Sequence, residues 1–140
     1  MKFDQIEYFL KVNHRGVITT KQKNGALHSS IIVCGAFNGK AAFVAVRGKS
    51  AKVRNLRQDT NCSLLVVKND WREWINLEGE AQLFDYQNSD PEYMRKLLRE
   101  LFNVCGDAEH PDWEEYDRAM VKQDAVAILI NPVKIYGLIR

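Results

Sequence analysis

The sequence predicts an α+β domain: an antiparallel β-barrel of six to seven strands, closed or nearly so, with helices on its periphery. Three observations carry this expectation. Asn24-Gly25 and Asn38-Gly39 separate three β-rich runs, the pattern of a hairpin meander. Trp74 to Phe84 alternates apolar and polar residues along its whole length. Helical patterns are few and inserted between groups of strands, not after every strand as βαβ units require. Closing the sheet on itself is the simplest way to remove the edges of so many strands. The 140 residues suit one domain spanning 1–140, with no repeat or linker. Apolar residues make up 46% and charged residues 27%, which excludes a disordered chain. No apolar run approaches the ~20 residues of a membrane span, and the start lacks the layout of a secretory signal. A cytoplasmic protein is therefore expected.

Along the chain, Asp4 and Glu7 form a capping-box pattern, and Phe3, Ile6, Phe9 and Leu10 follow at helical spacing. A helix is expected over 4–13, with His14 and Arg15 at its negative end and Gly16 to stop it. Strands follow at Val17–Thr20, His28–Ala36 and Ala41–Val46, both connecting turns being read as type I′. Ser50 is placed to cap a short helix bearing Val53 and Leu56 on one face. Cys62–Lys68 and Trp74–Phe84 are the next strands. Pro91, after Ser89 or Asp90, opens a helix with the apolar stripe Met94, Leu97, Leu98, Leu101 and Phe102, ended by Gly106. Pro111-Asp112 opens a shorter one with Trp113, Tyr116 and Met120. Ala125–Ile130 and Val133–Ile139 are read as two strands interrupted at Asn131-Pro132.

Net charge is only +2, but the charge is unevenly placed. Arg47, Lys49, Lys52, Arg54 and Arg57 fall in eleven residues with no acid, and Asp107 to Asp117 is acidic. The basic run lies where a strand hands over to a helix, so free helix-start amides, the Ser50 hydroxyl and mobile cations converge on one place. Gly48 is read as letting the backbone approach a ligand. This is an anion site by its chemistry. The bland alternative is a solvated basic turn, and the spacing is not that of a Walker loop. Nucleic acid is not expected, because no aromatic residue interleaves with the basic run. His28-Ser29-Ser30 lacks a nucleophile elbow, and His14, His28 and His110 lack metal-ligand spacing, so neither a hydrolase triad nor a metal site is expected. Cys34, Cys62 and Cys105 read as buried, reduced thiols. Trp71 and Trp74 suit packing, ligand stacking or a subunit interface. Glu78 and Glu80 share an exposed or interface strand face.

In order and spacing these features resemble the flavin- and deazaflavin-binding split-barrel superfamily of pyridoxamine 5′-phosphate oxidase, and within it the small single-domain deazaflavin-dependent enzymes of the oxidase class. The resemblance rests on Thr19-Thr20 before Asn24-Gly25, on the polar pair His28 and Ser30, and on Ser50 to Arg57 with its Lys-x-x-Asn-Leu core. Cys62–Val67, Leu77–Ala81 and Val133–Gly137 complete it. It implies a six- or seven-stranded split barrel working as a homodimer, with the cofactor in a groove between subunits. It further implies that Lys52, Asn55 and Ser50 hold the phosphate and that Thr19, Thr20, Ser30 and Ile32 lie beside the ring system. His28, Arg47 and Lys49 complete the expected cofactor contacts. The sequence has Leu27 and Asn24 where the family often has Pro and Asp. The substrate-binding tail of the true oxidases is not found after Arg140, so that activity itself is not expected.

The implied function is hydride transfer between F420 or FMN and a small conjugated organic substrate. The cofactor carries the hydride, so no catalytic residue need be visible. F420 is favoured over FMN because Arg47, Lys49 and Arg54 exceed what one phosphate can use. The alternative is a non-enzymatic carrier of FMN, haem or a tetrapyrrole, for which His28 is the available axial ligand. A two-fold interface is expected near the strand Trp74–Phe84.

Overall fold

A computed structural model describes residues 1–106 and 112–140. His110, Pro111 and the start of the acidic run lie outside the described residues. Four helices and six strands are described: α1 (Phe3–Val12), β1 (Arg15–Lys21), β2 (Leu27–Phe37), β3 (Lys40–Ala45), α2 (Ala51–Gln58), β4 (Asn61–Val67), β5 (Trp74–Phe84), α3 (Pro91–Val104), α4 (Trp113–Lys122) and β6 (Val126–Leu138). The strands close into one antiparallel barrel in the order β1-β2-β3-β6-β5-β4. The expected α+β barrel is the observed one, and it has six strands.

The count falls to six because the last two expected strands are one. Pro132 does not interrupt β6. It faces Gly79, and the register shifts between Glu78 and Gly79, where β6 carries an extra residue. A bulge of this kind accommodates a residue that has no N–H to donate. Two turn-level expectations also change. Asn38 and Gly39 have φ of 51° and 75°, the type I′ turn expected. At Asn24-Gly25 only Gly25 has positive φ, with Gly25 N–H bonded to Gln22 O and Gln22 N–H to Ala26 O. That is a three-residue loop with a bulge, not type I′. Helix α1 starts one residue early: Gln5 Oε1 accepts from Lys2 N–H at 2.7 Å, in place of the Asp4–Glu7 box. It ends before Gly16, which lies in β1.

Two apolar layers hold the fold. Inside the barrel, Ile18, Ile32, Phe43, Leu64, Ile75, Leu77 and Ile128 are capped by Ile6, Phe9 and Leu10 of α1 and by Val53 and Leu56 of α2. Outside it, Ala42, Ala127 and Leu129 meet Met94, Leu97, Leu98 and Leu101 of α3 and Tyr116 and Met120 of α4. Strands β3 and β6 are therefore covered on both faces, which explains the unbroken apolar run Ala125–Ile130. The three cysteines are free and buried, and burial pushes each thiol up to about 12.

A polar clamp fixes α2 to the β5–α3 turn. Asp85, 3% exposed, accepts from Arg57 Nη1 at 2.8 Å and from the Gln87 and Asn88 N–H groups. Burial opposes its ionisation, but these donors outweigh it and hold the carboxyl below its ordinary value. A depressed carboxylate contributes stability that is present above the unfolded value and is lost as pH falls through the folded one. Asp85→Ala is expected to lower unfolding free energy by about 1–3 kcal/mol near neutral pH. Denaturant titrations at descending pH should show the difference from wild type narrowing below about pH 4.

Candidate functional site

The turn between β2 and β3 joins strands that pair over only four residues, from Phe37↔Lys40 to Cys34↔Phe43. Beyond that point they part. Residues 27–33 of β2 stay with β1, and Val44 and Ala45 of β3 stay with β6. The parting opens a cavity of about 710 Å³. Ile31, Ile32 and Val33 line one side and Val44, Ala45 and Val46 the other; Leu101, Phe102, Tyr116 and Met120 of α3 and α4 close the outside. Arg47, Ser50 and Lys52 form its polar end. Volume and lining are those of a small-molecule site: apolar walls with a few convergent polar groups.

The polar end is chemically one-sided. Ser50 is the N-cap residue of α2, but its hydroxyl caps nothing: Oγ is buried with no partner among the described residues. The first amides of α2 consequently have no side-chain acceptor. Burial pushes the Lys52 ammonium below its ordinary value, and Arg47 beside it pushes the same way. Among the described residues no carboxylate pairs with Arg47, Lys49 or Lys52. Free amides, an orphaned hydroxyl and the cavity-lining cations Arg47 and Lys52 make a donor set that fits a phosphate.

The loop carrying these groups is gripped from both sides. Arg54 donates to the Lys49 carbonyl and Ser50 N–H to Arg47 O. Gly48 N–H bonds Gln123 O at 3.1 Å, and a Cβ on Gly48 would lie 1.9 Å from Asp124 O. Gly48 is thus a glycine because α4 ends against it, not because a ligand does. Arg54 is a brace and leaves Arg47, Lys49 and Lys52 as the unengaged cations of this segment among the described residues.

The expected contacts do not all converge. Ile32, Arg47, Ser50 and Lys52 line the cavity, and Lys49 is exposed on the same loop. Thr20 and Asn55 bond each other, Asn55 Nδ2 to Thr20 Oγ1 at 3.1 Å, and both are buried. Thr19 faces outward and shares a hydrogen bond of 2.9 Å with Ser29. His28 and Ser30 stand on the inward face of β2 opposite Thr20 and Ile18, with His28 Nδ1 and Ser30 Oγ buried and without a partner among the described residues. Neither is among the cavity walls. The wall residues Phe102, Tyr116 and Met120 look like plain core stripes in sequence. Only the parting of β2 from β3, a tertiary feature, gives them a cavity to line.

The pyridoxamine 5′-phosphate oxidase family model matches residues 3–138. The chain belongs to that family. Flavin-related oxidoreductases, with flavins or F420 as cofactors, are found in it. Its fold is shared with a conserved hypothetical protein from Mycobacterium tuberculosis, with a TM-score of 0.77 at 18% identity over 98% of this chain and 84% of that one. A solved F420 reductase matches with a TM-score of 0.67 at 17% identity over 93% and 94% of the two chains. General Stress Protein 26 from Bacillus anthracis matches at 0.63 and 20% identity over 97% and 92%. No helix among the described residues is long and apolar enough to cross a membrane.

The internal bond between Asn55 and Thr20 has a measurable consequence. Asn55→Ala strands the Thr20 hydroxyl in the interior and is expected to cost about 1–3 kcal/mol of stability in chemical denaturation.

Proposed function

We propose that the protein is an oxidoreductase that passes hydride between F420 or FMN and a small conjugated organic substrate, with F420 favoured. The observation that carries this reading is the polar end of the cavity: an orphaned Ser50 hydroxyl beside Arg47 and Lys52, neither with a carboxylate partner among the described residues. A bound flavin or deazaflavin supplies the hydride chemistry itself. Arg47, Lys52, Ser50 and the first amides of α2 bind the phosphate. Ile31, Ile32, Val44 and Val46 exclude water from the ring, with Phe102 and Tyr116 of the outer layer. Membership of the family and the structural likeness to an F420 reductase support the reading.

The preference for F420 rests on charge. Its lactyl and glutamyl tail continues past the phosphate and carries carboxylates. Arg47 and Lys49, exposed and without an ion-pair partner among the described residues, offer those carboxylates a counter-charge. The reading also takes the protein to act as a homodimer with the cavity at the subunit boundary. Ile31 and Val33, 74% and 49% exposed on the cavity side of β2, support that placement.

Lys52→Ala is expected to weaken FMN binding by about 1.5–3 kcal/mol, the scale of a lost charge-assisted hydrogen bond. Folding should be unaffected, because the lysine is half-buried beside another cation. Fluorescence titration and thermal unfolding read the two quantities separately. Unchanged affinity with lost stability would remove the phosphate role.

F420 is expected to bind more tightly than FMN and to lose affinity more steeply with salt, since surface attraction is screened. Replacing Arg47 and Lys49 together by Ala should narrow the gap. Equal affinities and equal salt slopes would make FMN the cofactor. Tight binding of either without turnover of any acceptor would make the protein a carrier.

A further inference from the structure

Trp71 takes no part in the cavity. It stands at the tip of the β4–β5 hairpin, 82% exposed, with φ of 64°. A bulky side chain in the left-handed region is a genuine outlier and persists only where its surroundings over-determine it. The surroundings do so here. Lys68 N–H donates to Glu73 O and Trp71 N–H to Lys68 O, each at 2.9 Å. Arg72 N–H donates to Asp70 Oδ1 at 2.9 Å. Glu73 accepts from Lys68 Nζ and from Arg140 N–H, both at 2.8 Å. The hairpin is a rigid mount that holds an indole out in water, with the Asp70 carboxylate next to it.

Beside this knob is a hole. A notch of about 310 Å³ is walled by Val17, Ile31, Leu65 and Val67 on the outer faces of β2, β1 and β4, with Lys68 and the base of Trp71's own hairpin along its near side. Arg15 stands at its edge, with no ion-pair partner among the described residues. One surface therefore carries an apolar knob with an acid and an apolar hole with a base. A surface complementary to itself in shape and charge fits a second copy of the same chain about a two-fold axis. Ile31 lines both the notch and the 710 Å³ cavity.

We propose that Trp71 crosses a two-fold axis into the partner's notch, against Ile31, and completes the partner's cofactor cavity on its open side. The proposal rests on the cofactor and homodimer reading above and adds the residue that anchors the dimer and reaches the neighbouring site. Asp70 of the inserted tip meets Arg15 of the notch. The interface thus centres on the outer faces of β1, β2 and β4, with β5 at its margin.

Sedimentation of the full chain tests the anchor. Wild type is expected to dimerise at micromolar concentration. Trp71→Ala should raise the dimer dissociation constant about tenfold or more, as for a buried aromatic anchor, and Trp71→Phe should recover part of it. Mixing tests the crossing, with FMN as probe. Trp71→Ala and Lys52→Ala homodimers should each bind FMN weakly. A mixed dimer should regain one tight site, because its Trp71→Ala protomer keeps Lys52 and borrows the partner's indole. A monomeric wild type overturns the dimer and this proposal together. A Trp71→Ala chain that dimerises and binds FMN like wild type, or a mixture with no regained site, overturns the role of Trp71 and leaves the dimer and cofactor reading standing.

Discussion

The separation of β2 from β3 is the constraint on which the rest depends. The Asn38-Gly39 turn starts the pairing, and the end of α3 limits it. A Cβ on Gly35 would lie 2.1 Å from Val104 O, so the helix backbone rests directly on the strand, three residues before the turn. Past that contact, α3 and α4 cover the outside while β2 and β3 follow different neighbours around the barrel. The space left has apolar walls because both strands and both helices turn core-type side chains toward it. Its polar end exists because β3 runs straight into the Arg47–Ser50 loop and α2. The clamp at Asp85 and the contact of Gly48 with Asp124 then hold that loop from two directions.

The charges of the molecule divide along the same line. Where cations serve the fold they are paired: Arg57 with Asp85, Arg99 with Asp117, and Lys68 with Glu73. At the cavity, among the described residues, they are not: burial lowers the half-buried Lys52 ammonium, and the exposed Arg47 beside it adds to the effect. Stability alone would favour an acid near them. The function proposed above accounts for their uncompensated state by an anion that arrives with the ligand, a trade of some stability for a binding site.

Much of this was legible in the sequence. Strict alternation placed β5 residue for residue, and Asp90-Pro91 placed the start of α3. The basic run at a strand-to-helix junction located the polar end of the cavity before any geometry was known. Tertiary decisions were not legible. Asn131-Pro132 reads as a break because Pro cannot donate, and only the bulge opposite Gly79 makes it part of a continuous strand. Ser50 reads as a helix cap, and its side chain is left free instead. Arg54 reads as one more ligand cation, and its guanidinium is spent on Lys49 O. Asn55 reads as a phosphate contact by resemblance, and the buried Thr20 takes its amide. In each case the residue type was suited to two roles, and a partner distant in sequence chose between them.

The central claim is that the opening between β2 and β3, with Arg47, Ser50 and Lys52 at its end, is where a phosphorylated flavin or deazaflavin binds. Backbone amide chemical-shift mapping with FMN tests it most directly. The account predicts that the largest shifts fall at Ser50 to Arg54, at Ile31 to Val33 and at Val44 to Arg47, a helix start, the middle of one strand and the end of another that come together at this cavity. Shifts concentrated instead at Thr19, Ser63 and Glu78, on the outer face of β1, β4 and β5, would contradict it.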